Sequence, residues 1–184
     1  MKLIMKILLV VDMQRGSFTS ETPRFDEKGV VSKINLLASA IRSDGGHVIF
    51  VQHDGSKEKK FYPGSLEWEI LPELHVNPQD HLLNKTANDS FYRTELKSLL
   101  EKLNTKELII TGCATDYCVD TTVRSALNND YAVTVIKDGH TTADRPHLSA
   151  EQVIVHHNWI WENMTPTEGQ IRLVNCYELL KELG

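Results

Sequence analysis

Six short apolar runs, each followed by a segment with helical spacing or a loop, constrain this chain most. The runs are Ile7–Val11, Val48–Val51, a weaker one at His81–Asn84, Leu108–Thr111, Tyr131–Val135 and Ile171–Val174. They are four to five residues long, rich in Val and Ile, and apolar on successive positions rather than alternate ones. A strand buried on both faces reads this way, and that is the usual condition of a parallel sheet. Between the runs, Val30, Ile34, Leu37, Ala38 and Ile41 recur at helical spacing over Val30–Arg42. Thr94–Leu103 puts Leu96, Leu99, Leu100 and Leu103 on one face. Thr115–Leu127, Ser149–Trp161 and Tyr177–Leu183 complete the helices, with Ser149 and Gln152 spaced as a capping box. Parallel strands joined by helices predict a doubly wound α/β fold with right-handed crossovers. The 184 residues are enough for one domain over 1–184, and no repeat or linker divides them.

Composition narrows the class of partner. A net charge of −5 without a basic stripe argues against nucleic acid and anionic membranes. No apolar run approaches the roughly 18 residues of a membrane span. The opening MKLIMKILLVVDMQ runs straight into Asp12 with no small-residue cleavage site. With three cysteines, an odd number, this predicts a cytoplasmic protein with free thiols. The expected partner is a small-molecule substrate.

In open α/β sheets, ligands sit at the carboxyl ends of strands. Asp12 follows the first run, Lys85 the third, and Thr111-Gly112-Cys113-Ala114-Thr115 the fourth, with Cys118 opening the next helix. An acid, a base and a thiol thus fall at one sheet edge. A carboxylate can take a thiol proton, and a helix N-terminus lowers a thiol pKa. A buried lysine can hold the carboxylate, and amides in the tight turn can hold an oxyanion. Phe18, His53, Trp68 and Tyr117 are candidate pocket walls or substrate contacts. Cys113 and Cys176 read as packed residues, and Lys57–Lys60 as a solvated charge cluster. The long stretch from His53 to Asp80 reads as a functional loop. Adjacent His156 and His157 point about 100° apart on a helix and do not chelate as an i, i+4 pair would. There is no G-x-G-x-x-G after the first strand, no Walker A loop, no G-x-S-x-G and no H-E-x-x-H.

Three blocks carry a resemblance: Val10-Val11-Asp12-Met13-Gln14, the Lys85…Ser90-Phe91…Thr94-Glu95-Leu96 segment, and Thr111-Gly112-Cys113-Ala114-Thr115-Asp116-Tyr117-Cys118-Val119. Over about residues 6 to 175 the chain resembles the isochorismatase-like cysteine hydrolases, related to nicotinamidases and N-carbamoylsarcosine amidases. The resemblance implies a three-layer αβα, Rossmann-like sandwich with a six-stranded parallel sheet. It implies an Asp12-Lys85-Cys118 triad and a cis peptide at Cys113–Ala114. The turn would aim the Ala114 and Cys118 N–H groups at an oxyanion. It further implies a homodimer or higher homo-oligomer. The nicotinamidase branch has an Asp-x-His metal site after its second strand, whereas this chain reads Gln52-His53-Asp54-Gly55. The expectation is therefore no metal and no cofactor. Cys118 favours cleavage of a C–N bond through a thioester. The alternatives are a metal-assisted nicotinamidase-like hydrolase, an isochorismatase-type hydrolase, and a non-catalytic binding protein with the same fold.

Overall fold

In the computed structural model, which describes residues 6–184, six parallel strands form one sheet in the order β3-β2-β1-β4-β5-β6. They are β1 (Lys6–Val11), β2 (His47–His53), β3 (His81–Lys85), β4 (Glu107–Cys113), β5 (Ala132–Thr141) and β6 (Ile171–Val174). The helices are α1 (Glu27–Ser43), α2 (Leu96–Lys102), α3 (Asp120–Asn128), α4 (Ala150–Glu162) and α5 (Cys176–Leu183). This is the expected three-layer αβα sandwich.

Successive strand residues serve opposite cores, as the pleat requires. Ile7, Leu9 and Val11 of β1 pack with Leu96 and Leu100 of α2, Val123 of α3 and Trp161 of α4. Leu8 and Val10 pack with Ile34, Leu37 and Ile41 of α1 and Leu179 of α5. Both faces being covered is why the strands read as unbroken apolar runs. Ser149 caps α4 in the expected capping box with Gln152, and Asn175 with Glu178 caps α5 in the same way. No helix among the described residues is long and apolar enough to cross a membrane.

Three elements differ from their sequence reading by more than a few end residues or in kind. β5 runs on to Thr141, because its polar end still pairs with β4 after a register shift between Ile110 and Gly112. The Thr94–Leu103 helix shortens to α2, since Thr94 Oγ1 donates to Ser90 O (2.6 Å) and accepts from the Leu96 amide (3.2 Å). The Thr115–Leu127 helix divides into a wide π-helical turn, Thr115–Val119, and α3. Such turns often mark functional sites.

The strand order reverses direction between β1 and β4, which opens a crevice at their carboxyl ends. Asp12 leaves β1 there, and the π turn leaves β4 there.

Candidate active site

Asp12 is the first residue past β1 and adopts φ 48°, while its amide donates to Val51 O of β2 (2.9 Å). Beside it, Gly112 of β4 has φ 126°, and a Cβ there would lie 2.1 Å from Val11 O. Only glycine lets β4 come this close to the strand end that carries Asp12. The Cys113–Ala114 peptide is cis.

Lys85, at the end of β3, is 1% exposed. Its Nζ lies 2.7 Å from Asp12 Oδ2 and donates to Ala87 O (2.9 Å) and Cys118 Sγ (3.3 Å). An ammonium has three protons to place, and three acceptors surround this one. Burial alone would pull the Lys85 pKa down, but Asp12 and Cys118 together raise it, so Lys85 is a fixed cation.

Asp12 Oδ1 is buried, lies on the side of the Cys118 thiol and has no other hydrogen-bond partner among the described residues, a costly condition for a carboxylate oxygen. The Cys118 thiol donates to Asn88 Oδ1 at 3.7 Å. Burial, and then the Asp12 carboxylate beside it, push the Cys118 pKa well above that of an ordinary thiol, against the pull of Lys85. The expected lowering by a helix N-terminus is therefore not met. Cys118 is the fourth residue of the π turn rather than the first of a helix, and ionising it would leave two anions facing one cation in a buried site. The resting site holds a neutral thiol, a carboxylate with one open oxygen and an ammonium.

The carboxylate and the thiol face a cavity of about 340 Å³, within the range of small-molecule sites. Asp12, Gln14, Arg24, His53, Lys60, Phe61, Asn88, Ala114, Tyr117 and Cys118 are among its walls. His53 and Tyr117 thus line it as expected. Burial and the nearby Lys85 charge lower the His53 pKa, so its ring is neutral at pH 7. Phe18 and Trp68 are not among the lining residues. Phe18 packs on the α1-side core beneath Arg24, and Trp68 turns its carbonyl to Gln14 Nε2 (2.9 Å) and Gln52 Nε2 (3.0 Å). Cys113 and Cys176 are buried, and burial raises their pKa values to about 12 and about 11.

Several contributors do not stand out in the sequence as site residues. Gln14 is fully buried and ties the long loop to β2, donating to His53 O (3.1 Å) and accepting from His53 N (2.8 Å). Asn88, Arg24 and Lys60 reach the cavity from irregular segments, and Lys60 comes from the cluster that read as solvated surface.

Asp54 is held by its own turn. Asp54 Oδ1 accepts from the Ser56 amide (2.9 Å) and the Ser56 hydroxyl, which uses it as a local turn acceptor. No group of three His, Cys, Asp or Glu gathers in metal-binding geometry among the described residues.

A thiol, a carboxylate and an ammonium meet at the switch point of a parallel sheet. Residues 6–164 match the isochorismatase domain model, and the chain belongs to that family. Streptothricin hydrolase of Streptomyces noursei is 30% identical over 139 residues, covering 76% of this chain and 50% of that protein. This chain spans about half the length of the streptothricin hydrolases it matches. Ureidoacrylate amidohydrolase RutB of Pantoea ananatis is 26% identical over 168 residues, covering 71% of this chain and 67% of that protein. A solved isochorismatase-family structure from Chromobacterium violaceum superposes with a TM-score of 0.88 at 27% identity, covering 100% of this chain and 96% of that one.

Proposed function

We propose that this protein is a cysteine hydrolase that cleaves the C–N bond of a small amide-type molecule through a thioester. One observation carries the reading. Three reactive side chains from three separate strand ends meet, with Lys85 Nζ 2.7 Å from Asp12 and 3.3 Å from Cys118, and Asp12 and Cys118 line a small cavity with Lys85 buried behind them. Two relatives, a streptothricin hydrolase and a ureidoacrylate amidohydrolase, agree with it.

In this reading Asp12 takes the Cys118 proton as Sγ attacks the carbonyl, so no buried thiolate has to exist beforehand. Lys85 stays protonated, holds Asp12 and offsets the growing negative charge. The Ala114 and Cys118 amides stabilise the oxyanion. The C–N bond breaks as Asp12 returns its proton to the leaving nitrogen. Water then gives a proton to Asp12 and attacks the thioester, which releases the acid and restores the thiol.

The test is ammonia or amine release from a panel of small amides, ureas and carbamoyl compounds. Cys118→Ala is expected to lower turnover by at least about a thousandfold, the scale for removing a nucleophile. Full activity in that variant overturns the reading.

A further inference from the structure

Apart from Asp12, which Lys85 neutralises, the charged residues lining the reaction cavity are two cations, Arg24 and Lys60. Neither has a carboxylate partner among the described residues. For an arginine that is unusual in this molecule. Arg15, Arg42, Arg124, Arg145 and Arg172 each have a carboxylate oxygen at 2.6 to 3.2 Å. Among the described arginines only Arg24 and Arg93 do not, and Arg93 lies over the Tyr92 ring, away from the cavity.

Arg24 is held rather than loose. Its Nε donates to Ser17 O (2.5 Å), and its guanidinium lies 6.0 Å from the centroid of the Phe18 ring. Its two terminal amino groups make no hydrogen bond among the described residues. A half-buried guanidinium pinned at Nε, with its outer edge open, matches the planar, two-oxygen geometry of a carboxylate. Lys60 is solvent-exposed, with Nζ 6.0 Å from the Phe61 ring centroid, and adds a point charge on the same cavity.

We infer that Arg24, assisted by Lys60, is an anion subsite, and that the substrate is an amide carrying a carboxylate away from the bond that breaks. The inference rests on the hydrolase reading of Cys118 for which bond breaks, but the subsite itself needs no thiol. The cavity's surplus positive charge also selects against cationic amides.

The test is binding of succinamate and of neutral succinamide to the full chain carrying Cys118→Ala, measured by calorimetry or NMR titration. Succinamate is expected to bind about tenfold or more tightly, an increment of one partly screened charge contact. Adding Arg24→Gln should bring the ratio close to one, Arg24→Lys should keep part of it, and Lys60→Gln should lower it by a smaller factor. In case Arg24→Gln folds poorly, the Cys118→Ala protein alone gives a second readout: the preference should shrink as salt rises from low to high ionic strength. Equal binding of the two probes, no detectable binding of succinamate, or a preference that survives Arg24→Gln overturns the inference. Retained ammonia release by Cys118→Ala would instead overturn the thiol mechanism, and the charge preference would stand apart from it.

Discussion

Two buried polar clusters flank the π turn that follows β4, and they are completed in opposite ways. On one side lie Asp12, Lys85 and Cys118, with a carboxylate oxygen unpaired among the described residues. On the other, His140 is 1% exposed, with Thr115 Oγ1 at 2.9 Å from Nδ1 and Asn158 Oδ1 at 3.0 Å from Nε2. Asn158 Nδ2 donates to Lys137 O (3.1 Å), which turns Oδ1 toward the ring. His140 Nε2 therefore carries the proton, and Nδ1 accepts from the Thr115 hydroxyl. Every polar atom in this second chain has its partner. It links β5 and α4 to the first residue of the turn that presents Cys118. The difference separates two uses of buried polarity. A satisfied network fixes a shape, whereas an unsatisfied acceptor beside a proton-bearing thiol is free to do chemistry.

Removing a charge from the first cluster should do the most damage. Lys85→Ala strands the Asp12 carboxylate in the interior, and a broken buried pair costs about 3–5 kcal/mol. Chemical denaturation should show that loss, together with activity close to that of Cys118→Ala. A Lys85→Ala protein as stable as the parent would mean that Asp12 is solvated and the first cluster is not a charged one.

The second cluster should respond to acid. Burial lowers the His140 pKa to about 4, against about 6.5 in an unfolded chain. The unfolded state therefore binds the extra proton between these values. The stability tied to neutral His140 is fully present above about pH 6.5 and is lost as pH falls toward 4, by up to about 3 kcal/mol. Stability measured against pH in the parent and in His140→Gln should converge as pH falls across that window. Parallel curves would show that His140 titrates normally.

Asn158→Ala is the mildest change. It leaves His140 Nε2–H without its acceptor, at a cost of about 1–3 kcal/mol. Because Asn158 lines no part of the reaction cavity, its effect on turnover should come through the Thr115 turn. A fall in kcat with KM nearly unchanged is expected, and an unchanged kcat would confine this cluster to stability.

The contrast also shows what the sequence could and could not reveal. Ile7–Val11 and Leu108–Thr111 announce strands because both of their faces are covered, and Asp12, Lys85 and Cys118 stand out as reactive types at strand ends. Lys137 to Thr141 hide the rest of β5, since polar residues paired near the crevice lack the apolar run that marks a core strand. The π turn is equally hidden, because Thr115–Leu127 has one apolar face whether or not its first turn is wide. His140 and Asn158 lie 18 residues apart and meet only through tertiary packing. Arg24 and Lys60 sit in segments without periodicity, so their position on the cavity follows from the path of the loops alone. Phe18 was legible as an aromatic near the site, but its ring lies beneath Arg24 instead of against the cavity.

The central claim is that Cys118, a neutral thiol at rest, becomes acylated during turnover. Intact-protein and peptide mass spectrometry during hydrolysis of an amide the protein accepts measures this directly. The account predicts a transient mass increase equal to the acyl group on the peptide carrying Cys118, released by hydroxylamine and absent in Cys118→Ala. Steady turnover with no acyl adduct at Cys118 under rapid acid quench, and with Cys118→Ala equally active, would contradict it.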